Sequence, residues 1–261
     1  MIITHEIMDK AKTVRPFYRT VRQLFDGSYA NNGFSAYIKD SQYAQGANDD
    51  IRSFLILQKE FTSILEYIEP ADGNAKAYSL RLRNLLIQIC TEIEANLKSI
   101  LLANDYSRKG AKSTDWNMRD YCKVNQSHFL SEYVVYLPYW DGNKERQPFK
   151  NWQDEDGSLD WYQAYNATKH ARGSKLMDAN LQNVVDAMAA LVILISAQFY
   201  TVDFIGPDFL IAETGYSNNE HAIGGYFSVQ FPDLEIKDRY NLDVTYTSLS
   251  EKHIFENFPY K

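Results

Sequence analysis

Cysteine is scarce in this chain: Cys90 and Cys122 are the only two in 261 residues. Two thiols far apart in sequence make neither a disulfide framework nor a zinc knuckle, and a reducing, cytoplasmic compartment is expected. Histidine is thin as well. His5, His128, His170, His221 and His253 are scattered without ligand spacing, so no metal site is expected. The chain has no GxxxxGK[ST] loop, no GxGxxG turn, no HExxH helix and no GxSxG elbow. Ordinary nucleotide hydrolases, dehydrogenases and zinc hydrolases are thereby disfavoured, and no cofactor is expected. Basic excess is missing too: 27 Lys and Arg stand against 34 Asp and Glu, for a net charge of −7. That balance weighs against a duplex-DNA partner, whose binding would rest on neutralising many phosphates. It gives no reason to expect attraction to a membrane surface, although a small basic pocket on an acidic body stays open. The greasiest stretch, Ala187–Ala197, runs for only eleven residues. A spanning helix needs about 20 apolar residues, so a buried core helix is expected there and no membrane partner. The opening MIITHEIMDK shows no apolar segment after a basic start, so no secretory leader is expected.

Apolar residues make up 45% of the chain and aromatic ones 14%, with 19 Tyr and 14 Phe. That is enough for one large core, with many rings at half-buried positions. The patterning predicts a mainly α protein: a helical bundle with a small C-terminal β hairpin or sheet. Residues 1–49 read as an N-terminal helix and loop, 50–205 as the bundle, and 206–261 as a β-containing appendage. A helix over 4–25, interrupted at Pro16, carries Lys10, Lys12, Arg15, Arg19 and Arg22. It is expected to be a solvated face, or else a phosphate-contacting patch. Residues 26–49 read as loop, with Asp49 or Asp50 capping the next helix. Helices are expected over 51–69 and 75–103, joined as an antiparallel pair, with Arg81, Asn84, Gln88 and Glu92 along the edge of the second. A short helix over 115–124 and a strand or extended connection within 129–138 follow. Residues 141–157 read as a long exposed loop. Helices over 158–173 and 178–205 complete the bundle, the latter at its centre because it is apolar all round. Residues 222–248 read as a hairpin or small sheet.

The chemistry concentrates in Trp161-Tyr162-Gln163-Ala164-Tyr165-Asn166-Ala167-Thr168-Lys169-His170-Ala171-Arg172. At 100° per residue, Trp161, Ala164, Ala167 and Ala171 share one side of a helix. Tyr162, Tyr165, Asn166, Lys169, His170 and Arg172 fall on the other, with Asn166 and His170 four residues apart. Lys and Arg beside an imidazole favour its neutral form and attract an anion.

Asn166-Ala167-Thr168-Lys169-His170 resembles the motif of the HEPN family, the higher-eukaryote-and-prokaryote nucleotide-binding helical domains. The resemblance covers a bundle over roughly residues 50–205. Ribonucleases of that family carry an Arg, a polar residue that is often Asn, three further residues and then His. The resemblance implies metal-independent RNA cleavage, an active site at a homodimer cleft, and roles in toxin–antitoxin and phage-defence systems. This chain departs from the pattern at Tyr165, which stands where the family has Arg. The spelling Tyr-Asn-x-x-Lys-His-x-Arg is also similar to one found in uncharacterised bacterial proteins. On this reading His170, Asn166 and Arg172 are the candidate catalytic residues. Lys169, Tyr165, Tyr162, Arg81 and Arg83 are the candidate anion-binding ones, with Arg172, Arg81 or Arg83 as substitutes for the absent cation. Three functions stay open: a binding or regulatory module contacting RNA, nucleotide or a protein partner; a metal-independent endoribonuclease with a relocated Arg; and a purely structural assembly protein in which His170 bonds a backbone carbonyl.

Overall fold

A computed structural model describes residues 15–29, 38, 40–154, 157–170, 175–201, 219–241 and 254–261. The helices are α1 (Ala47–Leu65), α2 (Leu80–Ala103), the short α3 (Met118–Tyr121) and α4 (Val124–His128), α5 (Asp160–His170) and α6 (Leu181–Phe199). The strands are β1 (Val134–Tyr136), β2 (Glu145–Arg146), β3 (Asn219–His221) and β4 (Ser228–Gln230). They form one antiparallel sheet in the order β2-β1-β4-β3. The protein is mainly α with a small sheet, as its patterning indicates.

The centre is α6. Helices α1, α2 and α5 pack around it, and β1 and β4 lie against it as well. That surround explains its composition, because a helix apolar on every side needs neighbours on every side. Among the described helices it alone is long and apolar enough to cross a membrane, yet 83% of its apolar window is buried inside the protein. Asn180 caps it by accepting from the Asn183 N–H at 3.1 Å. Helix α2 begins at Ser79, whose hydroxyl accepts from the Leu82 N–H at 3.1 Å. Its buried stripe is the expected one: Leu82, Leu86, Ile89, Cys90, Ile93, Leu97 and Ile100 are all fully covered. Burial pushes the Cys90 thiol well above its usual range, leaving it an inert small hydrophobe. Helix α1 starts earlier than an aspartate cap would place it. Gly46, at φ +76°, turns the chain into the helix. Asp49 and Asp50 then fall in the first turn, where carboxylates complement the helix dipole.

The N-terminal segment departs from expectation. Residues 15–29 form turns and isolated bridges rather than the second half of a helix; residues 4–14 lie outside the described residues. Arg19 sits in the left-handed region at φ +55°. Phe17 bridges to Glu256 and Leu24 to Tyr240, so the segment is threaded between the bundle and the C-terminal strand-like stretches. Arg19 and Arg22 are 3% and 4% exposed, which makes them neither a solvated face nor a phosphate patch. Arg19 donates to Asp50 Oδ2 at 2.9 Å and Gln198 Oε1 at 2.7 Å. Arg22 donates from Nε and Nη2 to the Ser127 carbonyl and from Nη1 to that of Asp238, at 3.0–3.1 Å. The rings of Phe17, Phe129, Tyr240 and Phe258 lie 5.2–5.9 Å from its guanidinium. A planar cation with several donors can be buried this way because carbonyls take the protons and ring faces take the charge.

Two further corrections concern loops. Residues 141–157 are not an exposed loop. They contain β2 and a 3-10 turn over Lys150–Gln153, and they bury Arg146, Phe149 and Trp152. Phe149 stacks on Trp152 with ring centroids 4.6 Å apart. The sheet is likewise not confined to a C-terminal appendage. Strand β4 pairs with β1 from the middle of the chain, so the β3–β4 hairpin is sewn into the bundle. Residues 242–248, expected to belong to that hairpin, lie outside the described residues.

Candidate functional site

Helix α5 presents a different face to the core from the one its alanines suggest. Its buried residues are Trp161, Ala164, Tyr165 and Thr168, whereas Ala167 is half-buried and Ala171 lies outside the described residues. Two large rings decide the orientation, because covering Trp161 and Tyr165 removes far more apolar area from water than covering alanine methyls. The polar atoms that go in with them are satisfied. Trp161 donates to the Pro148 carbonyl at 3.0 Å, and Thr168 Oγ1 donates back to the Ala164 carbonyl at 2.9 Å.

Tyr165, at the position where the family pattern has Arg, is therefore 1% exposed. Its hydroxyl accepts from Lys169 Nζ at 2.9 Å, and the same ammonium lies 5.0 Å from its ring centroid. That hydrogen bond raises the Lys169 pKa, so the exposed ammonium stays charged. Tyr162 does not face an anion either. Its hydroxyl donates to Glu94 Oε1 on α2 at 2.8 Å. Burial first, and then this bond to a carboxylate, push the phenol well above its usual range. Glu94 was not visible as a site residue in the sequence. The signal was available, since Arg83, Ile87, Cys90 and Glu94 recur at helical spacing along the side of α2 that faces α5.

The two candidate arginines of α2 separate. Arg81 turns to α1, donating to Glu60 Oε1 at 2.8 Å and Ser63 Oγ at 2.7 Å. Arg83 reaches α5: its Nε donates to the Thr168 carbonyl at 3.1 Å, and its Nη1 lies 3.4 Å from Asn84 Oδ1. A half-buried guanidinium thus stands at the carbonyl end of α5, where the helix dipole favours positive charge. Asn166 is half-buried, and its amide makes no hydrogen bond among the described residues. His170 ends the helix, with its side chain outside the described atoms, and Arg172 lies outside the described residues. The structure brings together Arg83, Asn166, Thr168 and Lys169 around the last turns of α5, removes Tyr165 into the core, and sends Arg81 elsewhere. Among the described residues no group of His, Cys, Asp and Glu could hold a metal ion. Compared with protein-family models, curated proteins and solved structures, the chain matches none.

Proposed function

We propose that this protein is a HEPN-like binding or regulatory module that receives an anionic partner, RNA or a nucleotide, at the C-terminal end of α5. The observation that carries the reading is the hydrogen bond from Arg83 Nε to the Thr168 carbonyl. It delivers a fixed cation two residues before His170, beside the Lys169 ammonium and the unengaged Asn166 amide. Cations positioned on a rigid helix end attract phosphate, and an amide can bond a phosphate oxygen. A role in a prokaryotic defence or toxin–antitoxin system belongs to the same reading through the family resemblance, as does a homodimer.

Tyr165 supports binding over cleavage. An aromatic residue buried against α6 cannot stabilise a developing negative charge, and the neighbouring Tyr162 hydroxyl is held by a carboxylate. One observation favours the active alternative: Arg83 stands near enough to the end of α5 to supply the cation that Tyr165 does not, with His170 as base. The two readings separate when the purified protein is incubated with single-stranded RNA in chelator, wild type beside His170→Ala. The binding module shifts the RNA and leaves it intact. Cleavage to cyclic-phosphate ends, lost in His170→Ala, would establish the ribonuclease. An absence of binding at physiological salt would reduce the site to helix-end packing.

A further inference from the structure

A cleft of about 510 Å³ opens beside β2, at the other end of α5 and along the first turns of α6, with Arg146, Asp186 and Asp160 in its wall. Arg146 is 6% exposed. Pairing of β2 with Val135 brings its guanidinium to 5.1 Å from the Trp140 ring. Its Nη1 is used by the Asn143 and Glu145 carbonyls, and Nη2 is 3.9 Å from Asp72 Oδ1. Its Nε–H is buried and has no hydrogen-bond acceptor among the described residues. Asp186 Oδ1 lies 3.4 Å from that nitrogen, close enough for an ion pair but outside hydrogen-bond geometry. The other oxygen, Oδ2, accepts from Gln182 at 2.9 Å. Burial raises the Asp186 pKa, and nearby Asp160 adds to the effect.

A buried donor without an acceptor costs roughly 1–3 kcal/mol of desolvation, and here it stands next to a half-engaged carboxylate. Such a donor–acceptor pair complements a ligand edge that carries an acceptor beside a donor. The charge of the wall selects further. Asp72, Glu145, Asp160 and Asp186 outnumber Arg146 and Lys150, so a phosphate would meet a net negative wall. The volume lies in the range of small-molecule sites, and the amides of Asn143, Gln147 and Asn151 line the remainder. We infer that this cleft binds an uncharged nucleoside, with the base edge accepting from Arg146 Nε–H and donating to Asp186 Oδ1, and the amides facing the sugar hydroxyls. The site is separate from the carbonyl end of α5 and does not depend on the reading given to it.

The test is calorimetric titration of the full chain with each of the four common ribonucleosides, with their 5′-monophosphates, and with purine riboside, which lacks an exocyclic donor. At least one nucleoside saturates at one per chain. Its monophosphate and purine riboside bind at least tenfold more weakly. Asp186→Asn lowers nucleoside affinity at least tenfold, with circular dichroism confirming the fold. Asp160→Asn, an exposed change in the wall, narrows the gap between nucleoside and monophosphate. The inference is overturned if no nucleoside gives saturable heat, if purine riboside binds as well as the others, or if monophosphates bind more tightly.

Discussion

His128 gives the most quantitative prediction. The ring is 1% exposed, with Nε2 2.8 Å from the Arg19 carbonyl and Nδ1 2.7 Å from Ser127 Oγ. Because Nε2 faces a carbonyl it carries the proton, and Nδ1 of the neutral ring accepts from Ser127. Burial, assisted by the charges of Arg22 and Arg19, holds the imidazole down to about 3 despite the backbone hydrogen bonds that favour its charged form. An unfolded histidine takes up its proton near pH 6.5. Below that pH the unfolded chain binds a proton the folded chain refuses, so stability falls as pH decreases towards about 3 and is fully present above about 6.5. Going from pH 7.5 to 5, this one group removes about 2 kcal/mol. Asp50, Asp186, Glu92 and Glu132, raised mainly by burial, act in the opposite direction on acidification. The comparison that isolates His128 is therefore urea unfolding of wild type and His128→Gln at both pH values. The glutamine amide can still donate to the Arg19 carbonyl but cannot titrate. Wild type should lose about 2 kcal/mol more than the variant on acidification. Parallel losses in the two proteins would refute the buried neutral imidazole.

Arg22→Met should destabilise the protein by about 3 kcal/mol in denaturant titrations, because the Ser127 and Asp238 carbonyls lose their donors inside a ring of aromatics; an unchanged midpoint would contradict the packing. Tyr165→Arg, which restores the family spelling, should lower stability by about 2–4 kcal/mol and create no RNA cleavage, since position 165 faces the core; a stable, newly active variant would overturn the orientation of α5. Lys169→Ala should change the melting temperature little, as an exposed ammonium contributes less than about 1 kcal/mol, while weakening RNA binding in a filter assay.

The long periodic segments were legible because burial and composition agree there. The α2 stripe from Leu82 to Ile100 and the all-round apolarity of α6 both follow from the sequence. Arg19 and Arg22 were not legible. Charged residues at near-helical spacing read as a surface, and only a fold that wraps them in carbonyls and aromatic rings from remote segments reverses this. The same holds for residues 141–157, where a polar spelling conceals Phe149, Trp152 and a buried Arg146. On α5 the error was one of rotation. Three alanines suggested the packed face, but Tyr165 has more area to bury and a hydroxyl that Lys169 can satisfy locally. The contact between Arg83 and Thr168 joins residues 85 positions apart, and no local pattern encodes it. Arg83 had been singled out only as one of three possible substitutes for the missing cation.

That contact is also where the account is most directly tested. Fluorescence anisotropy of a labelled single-stranded RNA, titrated with wild type and with Arg83→Gln in chelator at physiological salt, measures whether the guanidinium at the end of α5 receives an anion. The account predicts binding of intact RNA by wild type, with affinity lowered at least fivefold in Arg83→Gln and a shallower salt dependence. Identical affinity and salt slope in the two proteins would contradict it.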